Sequence, residues 1–283
     1  QNIVVTDEQF PANVHAWRRL AQDRGVEVRT VPPPDLVEGR GRGWNTRLLE
    51  AIDASTAIVA LGHVHWTDGT KFDLEAIGRR AREVGAALVI DGTQSVGALP
   101  FDVQVIQPDA LVCATYKWLM GPYSMGFAYL GPRFDAGAPL EETWIGRAGS
   151  ENFKKLVNYR DDYQPGAVRY DVGERSNFAL MPMAVAALEQ VLEWQPPRIQ
   201  AYCAALTADL FDRVRALGYS VEAPEYRGAH LFGLRAPAGV DITVIGERLR
   251  ERRVFVSLRG SALRVSPHLY NDERDIEALA NAL

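Results

Sequence analysis

Short, unbroken apolar runs recur along this chain at intervals that leave room for one helix between them. Asn2-Ile3-Val4-Val5-Thr6, Ala57-Ile58-Val59-Ala60-Leu61, Ala86-Ala87-Leu88-Val89-Ile90 and Ala110-Leu111-Val112-Cys113-Ala114 are each five residues long and bounded by turn residues. Runs this continuous read as strands buried on both faces, which is the habit of parallel sheets. The stretches between them suit helices: 12–24 with Trp17, Leu20 and Ala21 on one face, a segment near 44–53, and a helix capped by Asp73 that runs to about Val84. Strand and helix in alternation predict an α/β fold with a mostly parallel sheet flanked by helices.

Two of these runs deliver chemistry to the same edge of that sheet. The run 86–90 ends in Asp91, and the run 110–114 leads to Lys117. Open α/β sheets bind ligands at the carboxyl ends of their strands. Lys117 is one of four lysines in a chain with 31 Lys and Arg residues, and its neighbours from Cys113 to Pro122 are largely apolar or aromatic. Such an amine loses the hydration of its charged form, so its pKa falls and it becomes a nucleophile suited to imine chemistry with an aldehyde cofactor. Taken singly, Lys117 also fits a snorkelling lysine at a strand end, and Asp91 a helix cap.

The segments that carry the pair, Asp-Gly-Thr-Gln-Ser-Val-Gly-Ala-Leu-Pro at 91–100 and Tyr-Lys-Trp-Leu-Met-Gly-Pro at 116–122, resemble the class V aminotransferases. The resemblance runs from Glu8-Gln9-Phe10-Pro11 to Arg264-Val265-Ser266-Pro267-His268 and leans to the kynureninase and isopenicillin-epimerase-like branch. It implies fold type I with pyridoxal 5'-phosphate as cofactor, and an amino acid processed through a Schiff base and a Cα carbanion. It implies a homodimer with shared sites; the length of 283 residues and the pattern of elements predict a large cofactor-binding domain over 1–196 and a small α+β domain over 197–283. The chain begins at Gln1 on what reads as an interior strand. The resemblance places roughly a further quarter of the protein before it, including a helix N-terminus that cradles the cofactor phosphate.

The same resemblance assigns roles. Lys117 would carry the cofactor and Asp91 would pair with its pyridine nitrogen. Gln94 would touch the phenolic oxygen, Phe10 would stack on the ring, and Thr115 and Tyr116 would offer hydroxyls to the phosphate. Arg264 would grip the substrate carboxylate, with Trp66 and Trp144 also on the substrate side, Trp144 reaching the neighbouring subunit. In Gly173-Glu174-Arg175-Ser176-Asn177, Glu174 replaces a threonine that contacts the partner's phosphate, so Ser176 or Arg175 would substitute. Residue by residue there are plainer readings: core packing for Phe10 and Trp66, a turn hydrogen bond for Gln94, a backbone contact for Tyr116.

Composition narrows the rest. Charged residues make up 24% of the chain with both signs interspersed and a net charge of −5, so no basic stripe points to nucleic acid. No apolar stretch approaches a membrane span, no signal peptide is evident, and two cysteines suit a reducing, cytoplasmic setting. His63 and His65 lack a third metal ligand, and no G-x-G-x-x-G follows a strand as a nucleotide-binding sheet requires. The first reading is an aminotransferase-like enzyme, with a kynureninase-like lyase, C–S lyase or epimerase as runner-up. A catalytically inactive relative kept as a binding protein is the alternative from another class. A proline run at 32–34 and the Gly/Arg stretch 39–43 read as an exposed loop, 135–177 as irregular, 195–217 as one long helix, and 219–223, 229–235 and 254–257 as strands.

Overall fold

The computed structural model describes residues 1–35 and 39–283. A six-stranded sheet runs in the order β2-β1-β3-β4-β5-β6. Its strands are β1 (Asn2–Thr6), β2 (Glu27–Val31), β3 (Thr56–Gly62), β4 (Ala87–Asp91), β5 (Ala110–Ala114) and β6 (Gly126–Leu130). Strands β1 to β5 are parallel and β6 closes the edge antiparallel to β5, so the mostly parallel α/β expectation holds. The register sets Asp91 beside Gly62 of β3 and Val112 of β5, at the carboxyl end of the sheet.

One face of this sheet is sealed by α2 (Arg40–Ala51) and α3 (Leu74–Glu83), whose Trp44, Leu48 and Ile77 are fully buried against Val4, Val59 and Leu88. On the opposite face α1 (Ala12–Arg24) buries no residue completely, and Trp17 and Leu20 rest on Ile3, Val5 and Ala60. The Gly/Arg stretch is not the exposed loop its composition suggests. Arg40 opens α2, and Gly41 is a close-approach glycine, since a Cβ there would stand 2.5 Å from that of Tyr226. Residues 36–38 of that expected loop lie outside the described residues.

A short α4 (Val103–Ile106) precedes β5, and 135–177 carries only 3-10 turns, as its composition predicts. The expected long helix from 195 is two: α5 (Leu180–Trp194) is followed by α6 (Pro196–Leu206) and α7 (Ala208–Ala216). Thr207 breaks the run by donating its hydroxyl back to Cys203 O at 2.7 Å, a competitor to the helical ladder. A second, three-stranded antiparallel sheet has the order β7-β9-β8, with β7 (Phe232–Arg235), β8 (Ser257–Arg259) and β9 (Ala262–Val265). It packs against α7, α8 (Ile242–Glu251) and α9 (Glu273–Ala282) through Phe232, Leu234, Leu249 and Leu263. The 219–223 segment contributes one isolated bridge, Ser220 to Arg235, rather than a strand.

Candidate active site

The loops that leave β4 and β5 are pressed together, and this puts Asp91 and Lys117 on one cavity. Gly97 has φ +102°, and a Cβ there would meet Trp118 O at 2.4 Å, so only glycine lets the two loops touch. Trp118 Nε1 donates to Gln94 Oε1 at 3.2 Å, tying them again. Farther along, the Thr115 hydroxyl donates to Pro122 O at 2.7 Å and contacts Met125 O at 3.1 Å, which folds the segment after Lys117 back on itself.

The cavity measures about 560 Å³, within the roughly 300–1,000 Å³ of small-molecule sites. Phe10, Trp66, Asp91, Gln94, Tyr116 and Lys117 all line it. The Lys117 Nζ stands 5.8 Å from the ring centroids of both Phe10 and Tyr116. Phe10 meets Trp66 edge to face at 5.6 Å, and Tyr116 stacks on Tyr123 at 4.2 Å. Burial lowers the pKa of Lys117; Asp91 opposes that shift, and Arg264 and Arg259 reinforce it.

Asp91 is held from two sides. Its Oδ2 accepts from Asn13 Nδ2 at 2.7 Å and its Oδ1 from the Thr93 N–H at 2.9 Å. Asn13, on α1, is a site residue that the sequence did not single out; only its place one turn beyond Phe10 hinted at it. Arg259 is a second such residue, with its guanidinium carbon 5.6 Å from the Trp66 ring centroid. Arg264 on β9 donates to Trp66 O at 2.6 Å. It therefore touches a cavity-lining residue from the second sheet without lining the cavity itself.

Three sequence expectations differ in place. Thr115 is buried and its hydroxyl is spent on carbonyls, so it does not face the cavity. Ser176 lines an adjoining cavity that shares Met125, Phe127 and Val172 with the first. Trp144 lines a separate one, where its Nε1 donates to Glu174 Oε1 at 3.1 Å and its ring packs on Phe153. Gln94 does line the main cavity, but with Oε1 committed to Trp118. Both of His65's ring nitrogens are engaged, by Thr67 and by Asp7 O, while His63 packs on Phe101. Among the described residues no group of three or more His, Cys, Asp or Glu is placed to hold a metal. No helix among them is long and apolar enough to cross a membrane.

The Aminotransferase class-V family model matches residues 1–279. An uncharacterized protein of Schizosaccharomyces pombe is 28% identical over 97% of the chain, which spans only 62% of that relative. Isopenicillin N epimerase of Streptomyces clavuligerus is 25% identical over 99% of the chain and 73% of the relative. Among solved structures, the cystine C–S lyase C-DES bound to cysteine persulfide superposes with a TM-score of 0.82 at 20% identity, over 99% of this chain and 74% of that one.

Proposed function

This chain belongs to the class V aminotransferases, whose cofactor is pyridoxal phosphate, and from that premise we propose that it acts on an amino acid at Cα, as an aminotransferase. The observation that carries the reading is the shared cavity: an amine of lowered proton affinity and an anchored carboxylate line the same space between two strand ends. The residues present fit the cofactor. Of the residues that line the cavity, Phe10 would hold its ring, Asp91 its heterocyclic nitrogen and Lys117 its aldehyde carbon. When bound, pyridoxal phosphate supplies an electrophilic carbon and a ring that accepts electrons from the bond broken at Cα.

The protein's part follows from its own groups. Lys117 loses charge more readily than a surface lysine, so its amine is available as nucleophile and then as base for the proton at Cα. Asn13 and the Thr93 N–H fix the Asp91 carboxylate so that a positive charge opposite it is stabilised without reorganisation. Phe10 and Trp66, paired edge to face, form an aromatic side of the cavity. Arg264 stands at the rim with a fork suited to a carboxylate. Trp144 and Ser176 lie off this cavity, which supports their serving a second subunit in a homodimer. Light scattering that returns a monomer mass would remove that part of the reading.

A persulfide-forming desulfurase is disfavoured. That chemistry needs a thiolate, whereas burial, with Asp91 nearby, pushes the Cys113 thiol up to about 11, and burial raises Cys203 to about 11 as well. A panel of amino donors and keto acids tests the assignment. Amino transfer predicts formation of the pyridoxamine form with a donor and its consumption by a keto acid. Release of a side-chain fragment without need of a keto acid would favour the kynureninase-like or C–S lyase reading. Loss of stereochemistry at Cα would favour the epimerase. Inertness across the panel would favour a binding protein.

A further inference from the structure

Two guanidiniums converge on Trp66 from the second sheet. Arg264 donates to Trp66 O at 2.6 Å and to Ser257 Oγ at 3.3 Å. Arg259 lies 5.6 Å from the Trp66 ring centroid and donates to Leu258 O at 2.8 Å. The hairpin register joins them: in the β8–β9 pairing Ser257 stands opposite Arg264, and Arg259 opposite Ala262. In each residue the Nε is buried and has no hydrogen-bond acceptor. Among the described residues, no carboxylate lies within ion-pair distance of either.

A protein seldom buries polar groups of a cation without an acceptor, because the lost hydration is not returned. Elsewhere this fold obeys the rule: Arg40 and Arg235 share the buried Asp68. At the cavity rim the balance is different. Lys117, Arg259 and Arg264 are three cations, and of the acids that line the cavity Asp91 is engaged by Asn13 and Thr93 while Asp171 is paired with Arg175. An α-amino acid with a neutral side chain brings a single carboxylate, which one guanidinium suffices to hold. The second guanidinium then has no counter-charge on the substrate. The depression of Lys117 by both arginines agrees with a site whose positive charge is uncompensated until a ligand binds.

We propose that Arg259 takes a second acidic group of the substrate, so that the site selects amino acids carrying an anionic side chain. The inference rests on the proposed function in taking Arg264 for the α-carboxylate. The Arg259 guanidinium carbon stands 5.6 Å from the Trp66 ring centroid, within cation–π range, with Nη1 on Leu258 O and Nε left without an acceptor. Arg259 is therefore a specificity residue.

The test is calorimetric titration with glutarate and with butyrate at fixed ionic strength, with and without pyridoxal phosphate, on the wild type and on R259Q and R264Q. Glutarate should bind the wild type at least about tenfold more tightly than butyrate, a gap of roughly 1.4 kcal/mol. R259Q should erase most of that preference while leaving butyrate within about twofold, and R264Q should weaken both ligands. A wild type that does not discriminate, or an R259Q that keeps the full preference, overturns the proposal. If R259Q fails to melt cooperatively, the wild-type comparison decides by itself. Borohydride reduction in the presence of cofactor separates the two readings. Fixation at Lys117 without dicarboxylate preference sinks this inference alone, whereas preference without fixation sinks the proposed function and leaves the anion site standing.

Discussion

Asp68 and Asp91 are both acids in loops or strand ends of the large sheet, yet the fold treats them in opposite ways. Asp68 is 5% exposed and is gripped by Arg40, Arg235 and the Thr70 N–H, so that it joins α2 to β7. Burial pushes its pKa up, but His65, Arg235 and Arg40 outweigh that, and the net direction is down. Asp91 is steadied by an amide and a backbone N–H, and the cation that shares its cavity, Lys117, forms no ion pair with it. Asp68 is paired within the molecule to hold it together, whereas Asp91 and Lys117 share a cavity without pairing and are left for something that binds.

The sharpest way to break that contrast is to remove one charge from each place. Lys117→Ala should abolish covalent retention of pyridoxal phosphate and all turnover, while the unloaded protein melts at or slightly above the wild type. Absorbance after gel filtration and a thermal melt would check both halves. Asp91→Ala should likewise lose the cofactor or nearly all turnover, with little change in unloaded stability. Wild-type turnover in that variant would overturn its role. Asp68→Ala should do the reverse, costing about 3–5 kcal/mol of stability because Arg40 and Arg235 lose their shared counter-charge. Urea unfolding gives that number, and a change under about 1 kcal/mol would erase the distinction.

A smaller effect comes from histidines that neither site uses. Burial lowers His63 from 6.5 to about 3 and His230 to about 4. His230 is satisfied as a neutral ring between Gln94 O and Gln200. Unfolded, both rings bind a proton near pH 6.5, so between about 4 and 6.5 the unfolded chain holds more protons than the folded one. Stability should therefore fall as pH drops through that window, and urea midpoints that stay flat there would contradict the burial of these rings. Smallest of all, Lys117 has a folded pKa below its ordinary 10.5, so its charge penalises the fold until the pH passes that value. Lys117→Met should flatten the alkaline rise in stability relative to wild type.

Much of this was legible in the sequence because it depends on position along single strands. Asp91 and Lys117 follow continuous apolar runs, and a parallel sheet carries both to one edge without any knowledge of packing. Gln94 and Tyr116 travel with the same segments, and Phe10 and Trp66 follow β1 and β3. What escaped depends on contacts between distant parts. Asn13 meets Asp91 across 78 positions, through a helix whose outer pattern gives no sign of it. Arg259 escaped because the strand expected at 254–257 is a hairpin, Ser257–Arg259 and Ala262–Val265, turned at Gly260 with φ +54°. That glycine was a readable turn signal. Thr115 lies off the cavity for a local reason: its hydroxyl closes the loop after Lys117 by donating to backbone carbonyls.

The central claim is that the amine of Lys117 is the covalent anchor of the cofactor. Incubation with pyridoxal phosphate, borohydride reduction, digestion and mass spectrometry address it directly. The account predicts the added mass on the peptide that contains Lys117 and its disappearance in Lys117→Ala. Modification of Lys71, Lys154 or Lys155 instead, or of no lysine, would contradict it.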